Sequence, residues 1–174
     1  MPSMAQAVSR HNMHALHEDQ QQVQQPGCNC QNGVDTCPVE GKCLTDCVVY
    51  KATVTETGSG NAETYTGATC QTFKKRWDSH RFDVRHIEKR NSSRLSGHIW
   101  DIKDQNLNYE IDWKLIDRAA SYNPITRKCR VCLKEKYYIM YHKDGSSLNK
   151  RQEIFNTCRH RTQKLLKNAA TADI

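Results

Sequence analysis

The sequence predicts a small α+β domain, a three-stranded antiparallel sheet flanked by helices in the order ββααβαα, with a cysteine-rich zinc knuckle ahead of the first strand. Three observations predict it. Runs of β-branched residues separated by a Gly-containing turn read as a hairpin. Apolar residues spaced one helical turn apart follow that hairpin. Cysteines start abruptly at position 28, in a stretch that Pro38 and Gly41 keep from forming any regular element.

Each element has its own signal. Residues 47–55, Cys-Val-Val-Tyr-Lys-Ala-Thr-Val-Thr, form the first strand, Thr57 to Asn61 the turn, and residues 64–67 a short second strand. Thr69 is placed to cap a helix whose apolar positions, Phe73 and Trp77, lie one turn apart. Ser92 or Ser93 caps a second helix with Leu95, Ile99 and Ile102 in register. Tyr109 to Leu115 alternates cleanly and gives the third strand. Pro124 interrupts the connection that follows. A helix is expected from about Cys129 to Tyr141, a turn at Asp144-Gly145, and a last helix holding Ile154, Phe155, Leu165 and Leu166.

Composition bounds the function. The 174 residues are 26% charged and 37% hydrophobic, and 26 Lys and Arg against 19 Asp and Glu give a net charge of +7. The Gln-rich residues 1–27 have too little apolar surface to offset ordering and read as a disordered tail. Residues 28–168 form the domain and 169–174 a C-terminal tail. No run of about 18 apolar residues exists, so no membrane span is expected, and the polar N-terminus lacks the apolar core of a secretory signal. With no export signal, nine cysteines point to thiolate–metal binding rather than disulfides. A pI near 9.0 makes a polyanion the expected partner, nucleic acid first. The positive charge is concentrated: residues 123–167 carry twelve Lys and Arg against Glu135, Asp144 and Glu153, a local +9. Such a surface supplies sequence-independent phosphate contacts that weaken with salt.

Several residues carry potential chemistry. Cys129 and Cys132 form a C-x2-C pair, a spacing that can place two sulfurs on one tetrahedral metal. Cys37 and Cys43 are presented by the upstream loop, so Cys37, Cys43, Cys129 and Cys132 are expected to hold one structural Zn²⁺, with Cys28 and Cys30 as competitors or ligands of a second ion. Cys47 and Cys70 read as small apolar fillers, and Cys158 as a thiol alone on a helix. Tyr50 and Tyr65 lie on paired strands and can project onto one surface. Arg76 and His80, four apart, share a helix face; the first offers a fixed fork for phosphate oxygens and the second a proton carrier. Glu135 is the sole acid of its helix, with Lys128, Arg130, Lys134 and Lys136 around it, and can hold one Mg²⁺ whose shell is completed by waters and phosphate. Asn149 caps the last helix or bonds a site group.

In this order, two hairpin tyrosines, Arg-x3-His on a helix, a helical Glu and then Asn, the chain resembles the GIY-YIG endonuclease family over roughly residues 37–160. Val48-Val49-Tyr50 stands where the family has its first triplet, with Val48 in the place of glycine, and Tyr65-Thr66-Gly67 where it has the second, with Thr66 in the place of isoleucine. The series Cys37-Pro38-x-x-Gly41-x-Cys43-Leu44-Thr45, Cys129-x-x-Cys132-Leu133-x-Glu135-Lys136 and Leu148-Asn149-Lys150-Arg151 is similar to the endonuclease domains of Penelope-like retroelements, in which the domain follows a reverse transcriptase. The resemblance implies a metal-dependent DNA endonuclease, a phosphodiester hydrolase that nicks one strand, acting in the nucleus, with DNA and the parent element's reverse transcriptase as partners. It implies that Tyr50 is the general base or a relay to it, that Tyr65 positions water or phosphate, and that Arg76 neutralises transition-state charge. His80 then assists proton transfer, Glu135 holds Mg²⁺ or Mn²⁺, and Asn149 supports the site. Two alternatives stand beside it: a catalytically inactive, zinc-stabilised nucleic-acid-binding remnant of a transposon, and a zinc-dependent protein-interaction domain.

Overall fold

Three antiparallel strands in the order β2-β1-β3 carry the fold: β1 is Val48–Glu56, β2 Ala62–Thr69 and β3 Tyr109–Arg118. The computed structural model describes residues 27–30, 36–123, 125–141, 147–150, 153, 155 and 158. β1 is the central strand and is the most apolar of the three; Val48, Val49, Tyr50, Ala52 and Val54 are buried. Val48, Tyr50, Ala52 and Val54 alternate onto one face and join a core completed by Phe73, Leu95, Ile99 and Ile102. Those last four side chains are essentially fully buried, each stabilising the fold by roughly 1.5–3 kcal/mol.

The helices that supply them are α1, Phe73–Asp83, and α2, Arg94–Asp104. Ser93 caps α2 by accepting from Ser96 N at 3.1 Å. The expected cap at Thr69 is corrected. Thr72 is the N-cap of α1 and makes no side-chain cap bond, while Thr69 Oγ1 accepts from Gln71 N at 3.1 Å and turns the chain two residues earlier. The first N–H groups of α1 find partners in the cysteine loop instead: Phe73 N donates to Thr45 O and Lys74 N to Cys43 O, at 2.8 and 2.7 Å. A helix end needs such acceptors, and here they lock the knuckle onto the helix that carries Arg76 and His80.

After β3 the chain makes a two-residue ladder that the strand patterns did not suggest: β4, Tyr122–Asn123, pairs with β5, Lys128–Cys129. Asn123 Oδ1 accepts from Ile125 N and Thr126 N and closes this turn. Helix α3, Arg130–Tyr141, follows and packs on β2 and β1. The observed order through α3 is therefore ββααβ, a small hairpin, and α. The expected last helix, the Asp144-Gly145 turn, and all but Gly27 of the two expected tails lie outside the described residues, apart from single positions such as Phe155. No described helix is long and apolar enough to cross a membrane.

Candidate active site and metal-binding cysteines

Tyr50 leaves β1 beside a register shift against β3, where Val49 faces Asp117 and Tyr50 faces Leu115. Across the other ladder it faces Gly67. A Cβ at position 67 would lie 2.5 Å from the Tyr50 hydroxyl oxygen and 2.6 Å from its Cζ. Gly67 thus leaves the space into which Tyr50 extends. Gly67→Ala is expected to cost about 1–3 kcal/mol in denaturant unfolding by overpacking and to displace the Tyr50 hydroxyl; unchanged stability would refute this account of the glycine.

The hydroxyl of Tyr50 accepts from Arg76 Nε at 3.0 Å and shares a proton with His80 Nε2 at 2.8 Å. Tyr50 is 0% exposed and His80 1%. The ring of Phe73 closes edge-on against Tyr50, and Trp113 tilts against both Tyr50 and His80. The charge of Arg76 also acts on Tyr65, so one guanidinium influences both hairpin tyrosines. Burial pushes both phenols above their ordinary range, and Arg76 pulls in the opposite direction. Burial alone would lower Arg76, but its contacts with the two tyrosines outweigh this and raise it.

His80 is held down to about 3, first by burial and then by the Arg76 charge, so the ring is neutral at physiological pH. Its Nδ1 is buried with no hydrogen-bond partner among the described residues. The unfolded chain takes up a proton at this histidine near pH 6.5 while the folded chain does not, so stability falls as pH drops below that value. Between pH 7 and 5.5 the wild type is expected to lose about 1 kcal/mol more than His80→Gln. Parallel pH profiles of the two proteins in urea would contradict the assignment.

An open cleft of about 920 Å³ lies in front of this group, and Tyr65, Arg76, Glu135, Lys136 and Lys150 are among the residues lining it. Glu135 is half-buried on the second turn of α3, and its charge reaches both tyrosines. A hard carboxylate facing a polar cleft is the donor that Mg²⁺ or Mn²⁺ takes alongside water and phosphate oxygens. Neither Tyr50 nor His80 lines the cleft; they stand behind Arg76. Asn149 is not a wall of the cleft either. Its Oδ1 accepts from Thr66 N and its Nδ2 donates to Thr66 O, at 2.8 and 3.0 Å, and Nδ2 also donates to Glu153 Oε2. Together with Leu148 N donating to Thr64 O, it extends the free edge of β2 and fixes the second triplet.

The cysteines fall into two groups, which corrects the expected ligand set. Cys37 and Cys43 meet Cys28 and Cys30, with all four sulfurs within 4.8 Å of one another, whereas Cys129 and Cys132 meet Cys158 in a separate cluster. Local geometry explains the division. Glu40 and Gly41 both adopt left-handed backbone, φ 50 and 82, and Lys42 N bonds Val39 O. This tight turn folds Cys43 back toward Cys37. Lys74 Nζ then holds Asn29 through both its backbone and side-chain oxygens, which brings Cys28 and Cys30 in. Cys43 Sγ lies 3.5 Å from Cys28 Sγ and 3.8 Å from Cys30 Sγ. Four sulfurs at about 2.3 Å from one tetrahedral zinc are about 3.8 Å apart, so this group has the dimensions of a structural zinc site. The bond from Cys30 N holds the Cys28 thiol down to about 7, while burial pushes Cys43 up to about 12.

Cys158 is beside Cys132, sulfur to sulfur at 3.4 Å, and not alone. Cys70, expected as a small filler, has a thiol that interacts with those of Cys129 and Cys47. No family model, curated protein or solved structure matches the chain.

Proposed function

We propose that the chain is a metal-dependent DNA endonuclease of the GIY-YIG type, retroelement-derived, which nicks one strand by hydrolysing a phosphodiester bond. The observation that carries this reading is the single arrangement of Tyr65, Arg76 and Glu135 on one cleft, with Tyr50 and His80 hydrogen-bonded directly behind Arg76. These are the groups that the family order predicts, drawn together from β1, β2, α1 and α3.

Hydrolysis needs charge neutralised on the phosphoryl oxygens, a positioned water and a stabilised leaving oxygen. Arg76 supplies a positive fork held by the Tyr50 hydroxyl. Tyr65, at the cleft, positions water or phosphate. Tyr50 has two conceivable roles, base or relay, and its burial supports the relay: its oxygen holds Arg76 and its proton is shared with neutral His80. Asn149 acts as a positioning residue by fixing the Thr66 backbone beside Tyr65. Glu135 would hold Mg²⁺ or Mn²⁺, an ion that neutralises phosphate charge and stabilises an alkoxide. Cys28, Cys30, Cys37 and Cys43 would hold a structural Zn²⁺. The basic 123–167 segment would bind the DNA backbone, and a nuclear location and a reverse transcriptase partner follow from the same reading. A second reading, an inactive zinc-stabilised nucleic-acid-binding module, draws support from the fact that neither Tyr50 nor His80 lines the cleft.

Supercoiled plasmid incubated with the protein separates the two. The enzyme converts it to nicked circles with Mg²⁺ and not with EDTA. Binding that weakens steeply with salt, without nicking in Mg²⁺ or Mn²⁺, would establish the inactive module instead.

A further inference from the structure

Outside the proposed catalytic group, the densest unused chemistry is the second cysteine cluster. We propose that Cys129, Cys132 and Cys158, completed by Cys70, bind a second zinc ion that ties α3 to the end of β2. The three sulfurs of Cys129, Cys132 and Cys158 lie within 4.8 Å of one another. Cys132 and Cys158 are 3.4 Å apart, close to the separation of about 3.8 Å across a tetrahedral thiolate site. Cys129 belongs to this group of three and its thiol interacts with that of Cys70 as well. Cys70, whose thiol interacts with that of Cys129, is the fourth donor of this assignment. Cys47 is not in the group of three; its sulfur lies 3.9 Å from Cys70 O, and it is left outside the assignment.

Cys132 is on the first turn of α3, where the helix N-terminus favours negative charge, and Lys128 and Arg130 flank Cys129 in the chain. A disulfide would pair two sulfurs and leave the others without a role, whereas one zinc uses four. The tie has a consequence for the cleft. Cys132 lines it together with Glu135, three residues further along the same helix. A metal on Cys129 and Cys132 fixes the start of α3 and, through it, the position of the Glu135 carboxylate.

Elemental analysis of the full chain, purified under reducing conditions, is expected to give two zinc per chain. Cys158→Ser and Cys70→Ser are each expected to remove one equivalent, Cys28→Ser to remove the other, and Cys47→Ser to remove none. Co²⁺ titration of the metal-free wild type is expected to saturate its thiolate charge-transfer absorption at two equivalents, a readout that does not depend on any variant folding. A single equivalent that survives Cys158→Ser would overturn the second site. A single equivalent lost in Cys158→Ser would keep it and overturn the zinc assignment for Cys28, Cys30, Cys37 and Cys43. Absence of both metal and Co²⁺ binding would overturn both.

Discussion

Arg76→Ala is expected to lower the nicking rate by about 10²- to 10³-fold, the usual loss when one group that stabilises transition-state charge is removed. The size follows from what the side chain does in this fold. Its Nε bonds the Tyr50 hydroxyl at 3.0 Å and its charge acts on Tyr65 as well, so alanine removes the positive fork and releases Tyr50 at once. Arg76→Lys keeps the charge but not the planar fork and should recover only part of the rate. Tyr50 loses one of two buried partners, so a stability loss of about 1–3 kcal/mol accompanies the change. DNA affinity should barely move if, as proposed, the basic 123–167 segment makes most of the phosphate contacts. Wild-type cleavage by Arg76→Ala would remove Arg76 from the site.

Removing zinc from the knuckle is expected to have the largest effect on stability, a fall in Tm of about 10 °C or more, since metal-binding free energy in small thiolate sites is folding free energy. Cys43 is fully buried in the main core, and Cys28, Cys30 and Cys37 pack against that core. Without the cation, Cys43 is a buried thiol pressed against three others. The loop also supplies the carbonyls of Thr45 and Cys43 that cap α1. Loosening it therefore reaches Arg76 and His80 on that helix. Thermal melts before and after treatment with a zinc-selective chelator, read by circular dichroism, test this. A melting point unchanged after verified removal of the metal would contradict the structural role.

What was legible in the chain was local. Leu95, Ile99 and Ile102 repeat at helical spacing and are all buried on α2, and the alternation of residues 109–115 does mark β3. The β4–β5 ladder has two residues per strand, too short for any periodicity, although Asn123-Pro124 carried a turn signal. Arg76 and His80 were recognisable as one helix face. Their contact with Tyr50 depends on where α1 crosses the sheet, which no spacing encodes. The cysteines show the limit most clearly. The C-x2-C spacing identified Cys129 and Cys132 as a pair, but their neighbours, Cys158 and Cys70, come from distant segments chosen by tertiary packing. The upstream pair instead closed on Cys28 and Cys30 through the left-handed turn at Glu40-Gly41 and the Lys74–Asn29 bonds. Asn149 was expected at a helix cap or a site contact, and its double bond to the Thr66 backbone has no sequence signature at all.

The most direct measurement is the single-turnover cleavage rate of supercoiled DNA against Mg²⁺ concentration, for the wild type and Glu135→Ala side by side. Glu135 lines the cleft with Arg76 and Tyr65, and its loss should leave the fold and salt-dependent DNA binding intact. A saturable rise to nicked circles is expected for the wild type, and a rate at least about 10²-fold lower for Glu135→Ala at every Mg²⁺ concentration. Equal rates for the two proteins, or no Mg²⁺-dependent nicking by a wild type that binds DNA, would contradict it.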